Sequence, residues 1–304
     1  MTELRFDGRV AVITGGGRGL GREYALLLAS RGAQVVINDN GSALDGSGGD
    51  AVPAKGLVDE IKSLGGEAVA CIESVTTPEG GKAIIEAALD SFGKLDILIH
   101  SAGNSRFCPL EKLSHEEFRS VVDIHLLGGF NVVQPSFPLM MKQGYGRVIL
   151  TGSIGGIYTM PNVAPYTVSK SGLIGLNQAI AIEGAGRGIK SNIILPGAST
   201  RMVEGIDTTG FPPMGPELVA PVVGWLAHEA CSISGEMIIS AAGRVARAFI
   251  TESEGVYETD WTIEKMAEQI DAIRDPSRQF TFHPVPDGFS QHLGKSFEMA
   301  AKAS

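Results

Sequence analysis

Short apolar runs alternate with longer segments of helical period along most of the chain. Residues 9–14 (R-V-A-V-I-T) are apolar without polar alternation, which predicts a strand buried on both faces, as in a parallel sheet. A helical pattern follows over 20–31, with Tyr24, Leu27 and Leu28 on one face. The same alternation predicts strands at 34–38, 67–72, 95–100, 147–151, 190–195 and 236–240. Between them it predicts helices at about 53–64, 78–92, 114–128 with continuation to 141, from Tyr166 to about 186, and 216–228. Strands alternating with helices imply an α/β protein with a doubly wound, parallel, seven-stranded sheet, helices on both faces and right-handed crossovers. Residues 1–243 form this domain. Residues 244–304 lose the pattern, keep one helix at 261–273, and are expected to be a C-terminal extension packed on the domain or on a partner subunit.

The junctions carry the chemistry. The first strand runs directly into T-G-G-G-R-G-L-G at 14–21, holding Gly15, Arg18, Gly19, Leu20 and Gly21. In a strand–turn–helix setting this is a dinucleotide-binding, Rossmann-type turn. Gly15 permits the tight turn, Gly19 lets backbone approach a pyrophosphate, and Gly21 lets helix pack on strand. The second strand ends at Asp39, which is placed to hydrogen-bond adenosine ribose hydroxyls and to repel a 2′-phosphate. Arg18 argues the other way, since it could receive that phosphate; on balance NAD is expected over NADP. Ser74 and Val75 follow the third strand, where an adenine ring could lie, although a plain turn explains them equally. Ser101, Ala102 and Gly103 follow the fourth strand, and their small size admits a ligand close to the backbone. Pro196 and Gly197 end the sixth. A polar, glycine-rich loop at 40–55 carries no evident chemistry, and a Gly- and Pro-rich stretch at 204–216 is expected to be a flexible cover.

Tyr166 and Lys170 are four apart, so a helix presents both on one face. Ser153 lies at the end of a strand, from which a loop can return it to the tyrosine. A phenol of pKa about 10 is a poor base, and a nearby ammonium favours the phenolate. By itself the pair also fits an ordinary amphipathic helix. His125 lies in a predicted helix, where a lone histidine is commonly structural or exposed. A small-residue face of the helix beyond Lys170 (Gly172, Leu173, Leu176, Ala179) suits either a second subunit or the core.

Taken together, the turn at 14–21, Asp39, Ser101-Ala102-Gly103, Ser153, Tyr166-x-x-x-Lys170 and Pro196-Gly197 resemble the short-chain dehydrogenase/reductase family over roughly residues 6–243. The resemblance implies that Tyr166 donates or accepts the proton. It implies that Lys170 lowers the tyrosine pKa and binds the nicotinamide ribose, that Ser153 holds the substrate oxygen, and that Thr200 contacts the nicotinamide amide. Two positions depart from the family pattern: His100-Ser101 stands for Asn-Asn, and His125 stands where an asparagine usually holds the proton-relay water. The segments V-I-N-D-N-G, V-D-I-H-L-L-G, A-I-E-G-A-G-R-G-I-K-S-N, S-T-R-M and W-L-A-H-E resemble one subgroup more closely. It comprises the (3R)-hydroxyacyl-CoA dehydrogenase modules of peroxisomal type 2 multifunctional enzymes, also described as 17β-hydroxysteroid dehydrogenase type 4. That subgroup shares the histidine, and the module would here stand without a hydratase part. The resemblance implies an NAD-linked oxidoreductase acting on a lipid-like secondary alcohol, such as a CoA thioester or steroid, and a homotetramer or homodimer. The alternatives are an NADPH-dependent 3-oxoacyl thioester reductase and a non-catalytic nucleotide sensor.

Composition narrows this further. A formal charge of −9 over 304 residues argues against a nucleic-acid surface. Cys71, Cys108 and Cys231 are scattered and suggest neither a disulfide framework nor a metal site. There is no apolar leader, no run long enough to span a bilayer, and no recognisable lipidation or peroxisomal tripeptide after Ala301. These features suggest a cytoplasmic protein.

Overall fold

The structure is a computed structural model that describes residues 3–43, 46, 48–200 and 210–303. The chain divides into two compact units, Met1–Arg247 and Ala248–Ser304. In the first, the order is β1 (Val10–Thr14), α1 (Gly19–Ser30), β2 (Gln34–Asn38), α2 (Val52–Ser63), β3 (Glu67–Cys71), α3 (Pro78–Phe92), β4 (Ile97–His100), α4 (His115–Val122), α5 (Gly128–Gln143), β5 (Gly146–Thr151), α6 (Ala164–Gly184), β6 (Ile189–Gly197), α7 (Ala220–Ala227), β7 (Met237–Ala241) and β8 (Arg244–Ala248).

The sheet order is β3-β2-β1-β4-β5-β6-β7-β8, and the pairings from β3 through β7 are all parallel. The direction of winding reverses between β1 and β4, so a crevice opens beyond the carboxyl ends of these strands. Every residue of β1, β4 and β5 is buried, which explains their unbroken apolar runs. Tyr24, Leu28, Leu57, Ile61, Val223 and Leu226 join α1, α2 and α7 to Ile13, Val35 and Ile37 in one core cluster. Helices α3 to α6 pack among themselves on the opposite face, where Ile84, Ile85, Val132 and Leu173 are buried. Four buried polar residues, Thr14, Asn38, His100 and Thr151, stand at the carboxyl ends of β1, β2, β4 and β5.

Three features differ from the sequence expectation. The single helix expected over 114–141 is interrupted by a π-helical turn at Asp123–Leu127. A strictly apolar period cannot register one extra residue in one turn, and such bulges are frequent at functional sites. Next, an eighth strand extends the expected sheet. Ala242 (φ 49°) and Gly243 (φ 78°) form a two-residue connection of left-handed residues, as primed hairpin turns require. The usual Asn-Gly signal is absent there. Finally, the face of α6 that suited either a partner or the core is divided. Leu173 is buried, a Cβ at Gly172 would come within 2.7 Å of Leu126, and Ala179 is exposed.

The second unit contains the short antiparallel pair β9 (Glu252–Ser253) and β10 (Gln279–Phe280), with α8 (Ile263–Ile273) and α9 (Gly288–Ala303). The Thr262 hydroxyl caps α8 by accepting from the Lys265 N–H at 3.2 Å. Helix α9 escaped the sequence reading because Gly288 and Gly294 weaken its propensity. Among the described residues, no helix is long and apolar enough to cross a membrane. Residues 201–209, which include part of the anticipated cover, lie outside the described residues.

Candidate active site

The carboxyl ends of β1, β2, β4, β5 and β6 open into one cleft of about 630 Å³. Its first wall is the glycine turn. Gly15 (φ 62°) approaches the next strand's loop so closely that a Cβ there would sit 2.7 Å from Ala102 Cα. A Cβ on Gly21 would sit 2.2 Å from the Gly15 carbonyl oxygen. These contacts admit glycine alone. No side chain caps the start of α1, so its first amides remain available beside Gly19 and Leu20, which line the cleft. Thr200 lies against Gly19, its methyl 3.4 Å from the position a Cβ would take.

Asp39 is held by two backbone donors. Its Oδ2 accepts from the Gly17 N–H at 2.9 Å and its Oδ1 from the Gly41 N–H at 2.8 Å. Arg18 lines the same end of the cleft, as do Ser74 and Val75. Val75 is fixed through its carbonyl, which accepts from Asn131 Nδ2 at 2.9 Å.

Below the turn runs a buried polar chain. His100 Nε2 lies 3.0 Å from the His125 carbonyl, which can only accept, so Nε2 carries the proton. His100 Nδ1 is then an acceptor, and the Thr14 hydroxyl donates to it at 2.9 Å. The same hydroxyl oxygen accepts from the Ser101 and Ala102 amides at 3.2 and 3.3 Å. Burial, and secondarily the Lys170 charge, pushes the His100 pKa down to about 4, which keeps the ring neutral.

The π-turn aims His125 inward. Its Nε2 lies 2.8 Å from the Asn104 carbonyl oxygen and 3.1 Å from the Asn104 amide nitrogen, while Nδ1 is buried without a partner. A Cβ on Gly103 would stand 2.4 Å from His125 Cε1, so this glycine makes room for the ring. The ring meets Tyr166 edge-on, with centroids 5.4 Å apart and planes at 83°. Burial and then the Lys170 charge hold the His125 pKa well below its ordinary value.

Ser153, Tyr166 and Lys170 meet at the centre. The Ser153 Oγ accepts from the Gly155 N–H at 3.0 Å. Lys170 is buried, and its Nζ donates to the Thr151 carbonyl at 2.5 Å and lies 5.5 Å from the Tyr166 ring centre. Burial lowers the Lys170 pKa to about 7. Burial also raises the Tyr166 pKa, and a hydrogen bond with Ser153 offsets part of that rise. Burial acts on both groups, raising the phenol and lowering the ammonium.

All the sequence-selected residues line this one cleft: Gly15, Arg18, Gly19, Leu20, Gly21, Asp39, Ser74, Val75, Ser101, Ala102, Gly103, His125, Ser153, Tyr166, Lys170, Pro196, Gly197 and Thr200. The sequence reading missed Asn104, next to Gly103, and Thr151, two residues before Ser153. It also missed an apolar mouth that includes Phe107, Tyr158 and Met160, and it gave no role to Asn40, Ser42 and Gly46 of the loop after β2. Loop residues without periodicity carry no signal of what they face.

A family model described as short chain dehydrogenase matches residues 9–209. Peroxisomal multifunctional enzyme type 2 of Drosophila melanogaster is 48% identical over 254 residues, which is 83% of this chain and 42% of that protein. A putative short-chain type dehydrogenase/reductase of Mycobacterium tuberculosis is 40% identical over 252 residues, 81% of this chain and 87% of that one. The solved structure of the full-length Drosophila melanogaster enzyme aligns with a TM-score of 0.82 at 38% identity, covering 98% of this chain and 50% of that one. The chain thus spans 42% or less of the length of the first curated multifunctional relatives it matches. These comparisons overturn the expectation of a cytoplasmic protein, because the multifunctional relatives are peroxisomal by name.

Proposed function

This chain belongs to the short-chain dehydrogenase family, and from that premise we propose that it oxidises or reduces a lipid-like substrate, a 3-hydroxyacyl-CoA or hydroxysteroid, with NAD(H) as coenzyme. It is an oxidoreductase of CH–OH groups in a family that uses NAD or NADP. The observation that carries the substrate-level reading is the Ser153–Tyr166–Lys170 cluster, with Lys170 buried, in a cleft whose lining includes apolar Phe107, Tyr158 and Met160.

The residues fit a dinucleotide. Gly15, Gly19 and Gly21 form a cradle that side chains would fill, and Asp39 stands at the ribose end. When bound, the nicotinamide supplies the hydride chemistry. The chain supplies the rest. Ser153 orients the substrate oxygen by hydrogen bonding, and Tyr166 passes a proton to or from that oxygen. Lys170, its pKa lowered to about 7 by burial, would exchange a proton with Tyr166 and hold the ribose. His125 meets the Tyr166 ring edge-on, and its buried Nδ1 is placed to take part in a hydrogen bond.

Asp39 favours NAD, whereas Arg18 at the same end is the one observation favouring an NADPH-linked reductase. Steady-state oxidation of a 3-hydroxyacyl-CoA with each coenzyme decides between them. The expected result is a clear NAD preference that Asp39→Ala lowers by roughly 10- to 100-fold, since a carboxylate against a phosphate costs several kcal/mol. An unchanged ratio in the variant would remove Asp39 from the coenzyme site.

The same proposal includes a homodimer or homotetramer assembled through the outer faces of α5 and α6, where Phe130, Val168 and Ile182 are exposed. Light scattering of Ile182→Asp should report a smaller particle than the unaltered protein. An unaltered protein that is already monomeric would refute this assembly.

A further inference from the structure

The end of β4 and the π-turn before α5 are joined by two buried histidines, each lying against a glycine of the other segment. His100 ends β4 and packs its ring on Gly129, where a Cβ would stand 3.2 Å from His100 Cδ2. His125 belongs to the π-turn and packs its ring on Gly103, where a Cβ would stand 2.4 Å from His125 Cε1. The polar contacts cross in the same way. His100 Nε2 donates to the His125 carbonyl at 3.0 Å, and His125 Nε2 lies 2.8 Å from the Asn104 carbonyl oxygen. Burial holds both rings neutral, and a neutral imidazole offers one donor and one acceptor.

The outer contacts of the two rings differ. His100 Nδ1 accepts from the Thr14 hydroxyl at 2.9 Å, where β1 enters the glycine turn. His125 meets the Tyr166 ring edge-on, with centroids 5.4 Å apart. A continuous path therefore runs from Thr14 through the His100 ring to the His125 carbonyl, and from the His125 ring to Tyr166. A π-turn departs from the regular helical ladder. A donor from another element that holds one of its carbonyls fixes the shape of that turn. His100 is not among the residues that line the cleft, so it reaches Tyr166 through His125.

We infer that His100 is a positioning residue for the reaction: by holding the His125 carbonyl it fixes the π-turn, and through the His125 ring it sets the orientation in which Tyr166 meets the substrate oxygen. This rests on the oxidoreductase reading above and deepens it. Proton exchange is sensitive to placement, and a misplacement of about 1 Å costs roughly 10²-fold in rate. A ring that only filled space would affect stability alone, and its loss would add independently to the loss of His125.

The experiment measures kcat and KM for NAD-linked oxidation of a 3-hydroxyacyl-CoA, NADH binding by fluorescence, and amide hydrogen exchange of residues 121–131 by mass spectrometry. The proteins are the unaltered chain, His100→Gln, His100→Asn, His100→Phe, His125→Ala, and His100→Phe combined with His125→Ala. Glutamine carries its amide nitrogen to the place of Nε2 and asparagine to that of Nδ1, so glutamine alone keeps a donor for the His125 carbonyl. His100→Asn and His100→Phe should lower kcat by roughly 10- to 100-fold, with KM and NADH affinity within about threefold. His100→Gln should keep kcat within about threefold of the unaltered protein. Exchange over 121–131 should quicken by about 10-fold in the asparagine and phenylalanine variants and not in the glutamine variant, since one hydrogen bond to the turn is lost. In the His125→Ala background, His100→Phe should cost less than about threefold more, because the ring through which it acts is gone. An unchanged kcat in His100→Phe, or a combined loss equal to the product of the single losses, overturns the inference. If His100→Phe does not fold, a glutamine variant no better than the asparagine variant overturns it. An unaltered protein that oxidises no 3-hydroxyacyl-CoA removes the functional reading; the exchange contrast then still decides the clasp, and equal exchange in the glutamine and asparagine variants refutes it.

Discussion

Replacing Tyr166 by phenylalanine should lower kcat for NAD-linked oxidation by roughly 10²–10⁴-fold, the usual contribution of a positioned acid–base group. The substitution removes one oxygen and leaves the ring. The edge contact with His125, at 5.4 Å and 83°, is retained, so the helix and the cleft keep their packing. What disappears is the hydroxyl that bonds to Ser153 and would exchange a proton with the substrate oxygen. NADH affinity should stay within about threefold, because the loss falls on an interaction made in the transition state. Stopped-flow hydride transfer with a 3-hydroxyacyl-CoA reads the chemical step directly. Undiminished turnover in this variant would end the proposed mechanism.

Lys170→Met should uncouple activity from stability, lowering the first and raising the second. Burial depresses the lysine pKa from 10.5 to about 7. Between those values the unfolded chain holds the proton and the folded chain does not, so stability rises with pH across that window. Below about pH 7 both states are protonated and the whole penalty is present. A shift of this size corresponds to at most about 5 kcal/mol. Methionine removes the penalty but leaves the Thr151 carbonyl without its donor, which returns about 1–3 kcal/mol. The variant should therefore unfold at higher urea near pH 7, by about 1–3 kcal/mol, and the rise in stability from pH 7 to 9 should flatten. Its kcat should fall by roughly 10²-fold or more, since the proton path from Tyr166 is cut. Identical urea midpoints at both pH values in the unaltered protein would show that the lysine is not desolvated as the structure has it.

Much of this molecule can be read along the chain. The unbroken apolar runs of β1, β4 and β5 predict buried parallel strands because both faces are covered, and local order alone carries that signal. The glycines at 15, 19 and 21 are legible for a similar reason: the turn they make is local, and its steric demands appear as missing side chains. Strand ends converge on one edge in any doubly wound sheet, so Asp39, Gly103, Ser153 and Gly197 could be placed in one crevice from their order.

What the chain order cannot express is which neighbour arrives from far away. His125 turns inward because a π-turn adds one residue and because Gly103, on another element, leaves space for its ring. Burial shifts the Tyr166 pKa up and the Lys170 pKa down. Their spacing of four residues suggested attraction, whereas the packing around them imposes desolvation. The loops that carry Phe107 and Tyr158, some fifty residues apart, are joined by the Cys108 N–H donating to the Asn162 carbonyl. Periodicity, glycine and spacing are local quantities, and the sequence determined the scaffold and the identity of the reactive groups through them. Burial and charge balance are sums over non-local neighbours, so the tertiary structure alone decided how those groups titrate and what surface a substrate meets.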